Sequence, residues 1–375
     1  MENYAGIDVS LELASVCVVD AKGKVVKEAK VDSNPQALVA FFNGLGFPVT
    51  RIGLEAGPLS QWLHAGLTQA GFETVLLETR HVKAALSAMT VKTDRKDARG
   101  IAQLIRMGWF RPVHAKSIGS QEVRALLVAR KQLQRKLKDV ELSIRGILRG
   151  FGLKVGQVTR TKFEWRIREL VAGQTMLEQV TAAMLSARAA LLAEFNKLHK
   201  MILNIVRDDK VCRQFMTVPG VGALVAITFK SAVDDPHRIK KSKAAGALFG
   251  LTPKKYQSGE LDVTGGITRI GDQMVRSTLY EAAHTLLSRL TRFSALKKWG
   301  LDVAKRRGLK RAMARKLAVI LHRMWIDGTT FRWTNARATA TELEVDLGLK
   351  HRCAGPAIRR QPLAPSAQPL RGVGG

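Results

Sequence analysis

Near the start of the sequence stands Tyr4-Ala5-Gly6-Ile7-Asp8-Val9, an apolar run that carries a single carboxylate. A second apolar run follows at residues 14–19, and residues 24–31 alternate in character. Asp20-Ala21-Lys22-Gly23 separates the last two runs and supplies a glycine-containing turn. Short runs of this kind, joined by turn residues, predict three consecutive antiparallel strands.

Strand and helix signals alternate after this meander. Asn34-Pro35 is typical of a helix start, because asparagine caps the first turn and proline fits the first helical position. We expect further strands at residues 51–55 and 72–77, and helices at residues 59–70 and from Thr93 to about residue 107. Three strands followed by strand–helix alternation predict a mixed α/β domain over residues 1–117.

Four carboxylates stand at the ends of these predicted elements. Asp8 lies inside an apolar strand, where an uncompensated carboxylate costs several kcal/mol of desolvation. Glu55 ends a strand, and Asp94 and Asp97 share one face at the start of a helix. Asp94 and Asp97 could equally be first-turn acids that the helix dipole favours.

Oxygen ligands in this order suit Mg²⁺, which is held by a few carboxylates together with substrate phosphates. Two such ions can clamp the attacking and leaving oxygens of a phosphodiester. An aspartate strand, a glutamate strand and a helical Asp-x-x-Asp on a three-strand meander are typical of ribonuclease-H-like (RuvC-like) nucleases. We therefore predict that Asp8, Glu55, Asp94 and Asp97 bind Mg²⁺.

Residues 118–208 change to a helical period. Apolar side chains recur there at three- and four-residue steps, and Arg130 and Arg188 occupy two of the seam positions. Residues 150–156 interrupt the pattern. Either a long helical hairpin or an intermolecular coiled coil is consistent with this pattern. Dimerisation and a purely structural role of this helical arm are therefore equally compatible with the sequence.

Residues 209–345 are punctuated by glycine as far as Gly271 and helical afterwards, which predicts a mainly α domain. Val218-Pro219-Gly220-Val221-Gly222 before an apolar run resembles a helix-hairpin-helix turn, in which Gly220 and Gly222 let the backbone approach a phosphate. A tight turn in a helical domain is the alternative. Residues 346–375 are rich in proline, alanine and glycine and are expected to form a disordered basic tail.

The net charge points to a polyanionic partner. Lysine and arginine number 61 against 31 acidic residues, which gives a formal charge of +30. The three cysteines are far apart, which favours a reducing cytoplasmic setting over a zinc site. No apolar run approaches the roughly 20 residues that span a bilayer, so we expect no membrane partner.

Three segments together resemble the DEDD transposases of bacterial insertion sequences, the family of bridge-RNA-guided serine recombinases. They are residues 4–10, Leu54-Glu55-Ala56, and Lys92-Thr93-Asp94-Arg95-Lys96-Asp97-Ala98, of which the last is the most specific. Further along, residues 248–253, 256–259 and 267–272, together with Arg276, resemble the second half of the same transposases.

By this resemblance Ser258 is the nucleophile that attacks a DNA phosphate and holds it as a phosphoserine. Lys254, Lys255, Arg269 and Arg276 are the nearby cations that would stabilise the phosphate charge. The resemblance also implies a dimer or tetramer that recombines donor and target double-stranded DNA with Mg²⁺, directed by a structured bridge RNA.

Two other functions compete with this interpretation. In a junction-resolving endonuclease, the metal alone would hydrolyse DNA and Ser258 would be a turn residue. A basic architectural protein would bind RNA or DNA without catalysis, and the intact set of four carboxylates argues against it.

Overall fold

The structure is a computed structural model that describes residues 2–89, 91–307 and 311–333. The chain divides into two compact units. The first comprises residues 1–202 together with 230–234, and the second comprises residues 203–229 together with those from 235 onward. The predicted basic tail, residues 346–375, lies outside the described residues.

The first unit is built on a six-stranded mixed sheet. Its strands are β1 (Asn3–Asp8), β2 (Leu13–Asp20), β3 (Val25–Asp32), β4 (Arg51–Glu55), β5 (Thr74–Leu77) and β6 (Pro112–Val113). Their order across the sheet is β3-β2-β1-β4-β5-β6. The first three strands form the predicted antiparallel meander, while β1, β4 and β5 run parallel to one another.

Four helices accompany the sheet. They are α1 (Pro35–Asn43), α2 (Ser60–Gln69), α3 (Thr79–Leu86) and α4 (Asp94–Arg106). Asn34 caps α1 as predicted, since its side chain accepts a hydrogen bond from the Ala37 amide at 2.8 Å. One apolar cluster joins the sheet to α1 and α2, including Ile7, Leu38 and Leu63. A second cluster joins α4 to β5 through side chains such as those of Ile101 and Leu77.

Helix α4 lies unusually close to β1, because Gly6 has no side chain. A Cβ atom built on Gly6 would stand 2.2 Å from the Ala98 carbonyl oxygen and 2.3 Å from the Ala102 amide nitrogen. Both atoms belong to the backbone of α4, so no side-chain rotation can relieve the overlap. The contact holds the start of α4 over the end of β1.

Gly6→Ala should therefore destabilise the protein, since α4 must move away from the sheet. We expect a loss of about 3 kcal/mol in the free energy of unfolding, the upper end of what overpacking costs. Urea unfolding followed by circular dichroism would measure it. Gly146→Ala, in a helix with nothing within 4 Å of the added Cβ, is the matched control and should be neutral or slightly stabilising. Equal stability of the two variants would contradict the close approach.

The predicted arm contains two long helices, α5 (Ile118–Gly150) and α7 (Thr175–Asp208), with α6 (Phe163–Val171) between them. Side chains of α5 and α7 meet within one chain. Arg188, 3% exposed, pairs with Glu141 at 2.9 Å, and the Arg130 guanidinium lies 4.7 Å from the centre of the Phe195 ring. Of the two arrangements that the spacing left open, these contacts favour the helical hairpin, and an intermolecular coiled coil stays a prediction.

The second unit is mainly helical, as predicted. Its helices include α8 (Lys210–Phe215), most of α9 (Ala223–Val233), α10 (Ala245–Leu248), α11 (Gln273–His284), α12 (Ala295–Arg307) and α13 (Arg311–Asp327). A π-helical turn, residues 285–289, extends α11. A hairpin of β7 (Pro253–Ser258) and β8 (Leu261–Ile267) was not expected from the sequence. Among the described residues, no helix is long and apolar enough to cross a membrane.

Candidate functional site

Asp8 and Glu55 occupy matching positions at the ends of two neighbouring strands. Strands β1 and β4 pair in parallel, with Ile7 opposite Leu54. The next residues along the two strands are Asp8 and Glu55, which are the last residues of β1 and β4. Because parallel strands end at the same edge of a sheet, the pairing puts both carboxylates at one edge, as the sequence predicted.

Asp94 and Asp97 lie in the first turn of α4, as predicted. The Thr93 side chain caps this helix by accepting a hydrogen bond from the Lys96 amide at 3.3 Å. Asp97 immediately precedes Ala98, the residue whose backbone touches β1 at Gly6. The close approach of α4 thus directs its acidic first turn towards the end of β1.

The electrostatics show that the four carboxylates share one neighbourhood. The pKa of Asp8 is raised to about 6, first by burial and then by the negative charges of Asp94, Asp97 and Glu55. Burial also raises the pKa of Glu55, and Asp97 contributes in the same direction. Lys92 opposes these shifts, and its ammonium lies 3.9 Å from an Asp97 carboxylate oxygen. A cation at this edge of the sheet would relieve both penalties.

The chemistry of the donor set suits Mg²⁺, since all four side chains offer hard oxygen ligands. The geometry is less complete than the sequence predicted. Within the described part of the chain, no three histidine, cysteine or carboxylate side chains lie close enough together to form a metal site. Metal binding by these four residues therefore stays a prediction, and it requires their side chains to move closer together.

Two features of this edge could not be predicted from the sequence. The hydroxyl of Thr79, at the start of α3, donates to the Ala56 carbonyl at 3.0 Å and lies near the Glu55 carboxylate, whose pKa it lowers against the effect of burial. Glu28 on β3 pairs with Arg95 and Arg99 of α4 and so engages two cations beside the acidic turn. Neither Thr79 nor Glu28 belongs to a recognisable motif, and only the tertiary fold brings them here.

Ser258 is the last residue of β7, beside the two-residue turn Gly259-Glu260. Gly259 has a φ of +55°, a conformation that glycine adopts readily and that tight hairpin turns require. The side chain of Ser258 is exposed, and its hydroxyl makes no hydrogen bond to any described residue. A nucleophile presented to an incoming phosphate needs such freedom.

The base of this hairpin is tightly built. The Thr268 amide donates to the Thr252 carbonyl at 2.9 Å, and the Arg269 amide donates to the Gly250 carbonyl at 3.1 Å. A Cβ on Gly250 would stand 2.2 Å from the Ile270 carbonyl oxygen, so the two segments touch backbone to backbone. The tip that carries Ser258 thus projects from a rigid base.

The four cations predicted beside Ser258 have different surroundings. Lys254 and Arg269 are exposed, whereas Lys255 pairs with Asp262 across the hairpin at 3.1 Å. Arg276 donates through Nη1 to the carbonyls of Phe249, Ile270 and Gly271, at 2.9–3.2 Å. This guanidinium holds the base of the hairpin, which sequence reasoning did not foresee, and a phosphate contact by Arg276 stays a prediction.

The predicted glycine turn lies between α8 and α9. Gly220 has a φ of +83°, and a Cβ there would stand 2.6 Å from the Ala282 carbonyl oxygen on α11. Gly220 therefore has a packing role, while Gly222 has nothing within 4 Å of an added Cβ. A phosphate-binding role for this helix-hairpin-helix-like turn stays a prediction.

Two family models match the chain, one in each part. An IS110-type DEDD transposase model matches residues 5–152 and includes all four carboxylates. A model described as Transposase IS116/IS110/IS902 family matches residues 212–298 and includes Ser258.

Curated relatives match across most of the chain. The transposase for insertion sequence element IS1111A of Coxiella burnetii is 26% identical over 87% of this chain and 90% of its own length. A putative transposase, y4pF/y4sB, of Sinorhizobium fredii is 26% identical over 89% of this chain and 86% of its own length.

Solved structures add a similarity confined to one part of the chain. Thermus thermophilus RuvC, in complex with a Holliday junction substrate, is 15% identical and covers 30% of this chain and 100% of its own, with a TM-score of 0.24. The assignment of the chain to a family depends on the family models and on the curated relatives. The chain belongs to the IS110/IS116 family of transposases.

Proposed function

We propose that the protein cuts and rejoins double-stranded DNA through a phosphoserine intermediate on Ser258, with the four carboxylates serving the reaction through Mg²⁺. The observation that carries this proposal is the carboxylate cluster at the ends of β1 and β4. Burial, and then the negative charges of Asp94, Asp97 and Glu55, raise the pKa of Asp8, and a cation would offset both effects. The family match across both parts of the chain supports the same activity.

The serine step conserves the energy of the phosphodiester bond. The Ser258 Oγ forms a bond to phosphorus, the bond from phosphorus to one bridging oxygen breaks, and that strand leaves with a free hydroxyl. The hydroxyl proton of Ser258 passes to a base, and the leaving oxygen takes up a proton from solvent, which conserves the number of protons. Attack by a second strand's hydroxyl reverses the step, joins the new strands and frees Ser258.

Asp8, Glu55, Asp94 and Asp97 are the residues that would hold Mg²⁺, which when bound stabilises the charge of phosphate oxygens. Lys254, an exposed cation on β7, would meet the DNA phosphate beside Ser258. The excess of basic residues over acidic ones suits a partner with many phosphates.

The remaining parts of the proposal concern partners and assembly. A structured bridge RNA would pair with donor and target DNA, while the protein holds the backbones. A homodimer or homotetramer would place two serines on the strands that exchange. The domains at residues 1–117, 118–208 and 209–345 would supply the metal site, the arm and the serine.

Trapping of the intermediate tests the proposal. We expect labelled DNA that contains the element's own junction, incubated with protein and Mg²⁺, to give a protein–DNA adduct on a denaturing gel. Protease digestion and mass spectrometry should place the nucleotide on Ser258. Cleaved DNA without any adduct would contradict the serine mechanism and favour the metal-dependent junction-resolving endonuclease.

A further inference from the structure

The connection between the two long helices of the arm is far longer than a helical hairpin needs. An antiparallel helix pair is commonly joined by two to five residues. Here α5 ends at Gly150 and α7 begins at Thr175, which leaves residues 151–174 as the connection. We call residues 149–171 the arm tip.

The arm tip is an ordered structure with its own core. Val155, Phe163, Ile167 and Val171 are all at most 5% exposed and pack together with apolar side chains of α5 and α7. The Arg145 side chain donates to the Gly156 carbonyl at 2.7 Å and ties the loop to α5. These contacts make the tip a fixed platform at the end of a helix about 50 Å long.

Two aromatic side chains of the arm tip face solvent. Trp165 is 63% exposed and Phe151 is 62% exposed. Trp165 lies two residues after the buried Phe163 and two before the buried Ile167, which puts it on the outer face of α6. Neither ring packs against another aromatic ring of the described chain, so both rings are accessible to a partner.

The charge of the arm tip is strongly positive. Its only acidic residues are Glu164 and Glu169. Against these stand six basic residues, Arg149, Lys154, Arg160, Lys162, Arg166 and Arg168.

The two glutamates neutralise only part of this charge. Glu169 pairs with Arg166, and Glu164 pairs with Arg168. Arg149, Lys154 and Lys162 are exposed and have no carboxylate within ion-pair distance among the described residues. Cations that the fold does not employ are available to an anionic partner.

We propose that the arm tip binds an unpaired strand of the DNA on which the protein acts, with Trp165 and Phe151 stacking on bases and Arg149, Lys154 and Lys162 contacting phosphates. Exposed aromatic rings combined with free cations suit single strands, because every unpaired base offers a ring face and every linkage a phosphate. A duplex hides those faces within its stack. The inference rests on the proposed function only in taking DNA as the source of the strand.

Fluorescence anisotropy tests the proposal, with the full-length chain and a labelled oligothymidine of about 20 nucleotides. This length exceeds the usual site size of such surfaces. Trp165→Ala and Phe151→Ala should each weaken binding about tenfold, within the range that stacking on one base contributes. Trp165→Phe should bind within about threefold of the parent, because phenylalanine still stacks. Trp62→Ala is the matched control, since Trp62 is 51% exposed on α2 and should leave binding unchanged.

The charge contribution has its own variant pair. Replacement of Arg149, Lys154 and Lys162 by glutamine should weaken binding. It should also lower the slope of log affinity against log salt concentration by about 0.7 for each phosphate that the protein no longer neutralises. The same change at Lys22, Lys24 and Lys30, three lysines around the β2–β3 turn and on β3, should leave the salt dependence unchanged.

Several results would overturn the inference. The first is unaltered binding of oligothymidine by Trp165→Ala. The second is an equal loss of affinity by this variant for a blunt duplex of the same length. The third is a change of oligomeric state in place of a change in DNA binding, which would assign the surface to a second copy of the chain. Oligouridine bound more tightly than oligothymidine by at least an order of magnitude would assign the strand to RNA. The readout is binding alone, so failure of the serine mechanism leaves this test readable.

Discussion

Replacement of Ser258 by alanine should abolish strand exchange and the covalent protein–DNA adduct, with a loss of at least about a thousandfold in rate. The variant removes the Oγ atom that the proposed mechanism bonds to phosphorus. Ser258 is exposed at the end of β7 and its hydroxyl bonds no described residue, so the change should not alter the fold. DNA binding and the melting temperature should match those of the parent protein.

The matched control is Ser277→Ala on α11. The Ser277 hydroxyl donates to the Gln273 carbonyl at 2.9 Å. Both residues lie in one helix, so the loss of this hydrogen bond should cost little stability. Full recombination by Ser277→Ala and none by Ser258→Ala would tie the chemistry to one hydroxyl. If Ser258→Ala still cuts DNA at the parent rate, the serine mechanism is wrong and the metal-dependent nuclease interpretation takes its place.

The elements that sequence predicted well are those whose signals are local. Strands β1, β2 and β3 have apolar or alternating runs bounded by turn residues, and Thr93 is a capping residue directly before the acidic turn of α4. The positions of Asp8 and Glu55 followed from strand ends alone. Their sharing of one edge depends on parallel pairing of β1 with β4, which no local pattern shows.

Elements held by tertiary contacts were missed. Strand β6 is two residues long and exists because it pairs with β5. Helix α3 is short and buries only Val82 among its side chains, so its apolar period is faint. The β7–β8 hairpin is exposed on both faces, which removes the alternation that identifies a strand.

The arm shows that an apolar period can predict a helix correctly and still misplace the residues of its buried face. The three- and four-residue steps correctly predicted long helices and placed Arg188 on the buried seam. On α7, however, Leu185 is buried, whereas Val180 and Ile205, two of the apolar side chains that recur at three- and four-residue steps, are 36% and 37% exposed. A helix has 3.6 residues per turn and so rotates gradually relative to a seven-residue repeat. A buried face predicted over many turns therefore shifts to neighbouring residues.

Replacement of Asp8 by asparagine should have two opposite effects, which together test the metal assignment. Mg²⁺-dependent DNA cleavage should fall by about a thousandfold, since the loss of one ligand disables transition-state charge stabilisation. In EDTA at a pH above the pKa of Asp8, however, the variant should be more stable than the parent protein. Asparagine keeps the shape of the side chain and removes a half-buried charge that faces three other carboxylates.

The sign of the stability change follows from the pKa of Asp8. Its value of about 6 in the folded protein exceeds the ordinary 3.8, so folding disfavours the ionised form. The penalty is complete above a pH of about 6, shrinks as the pH falls, and vanishes below a pH of about 4, where the group is protonated in both states. After allowance for solvent screening, the gain in Asp8→Asn at a pH of about 7.5 should be about 1 kcal/mol.

Thermal melts with and without MgCl₂ complete the test. Mg²⁺ should raise the melting temperature of the parent protein, because it binds only the folded state, in which the four carboxylates lie near one edge of the sheet, and should leave Asp8→Asn unchanged. Asp32→Asn, the same change at an exposed position on β3, should behave as the parent does. Two results would show that these carboxylates do not form the metal site. They are a melting temperature of the parent protein that does not change with Mg²⁺, and an Asp8→Asn variant that still cleaves DNA at the parent rate.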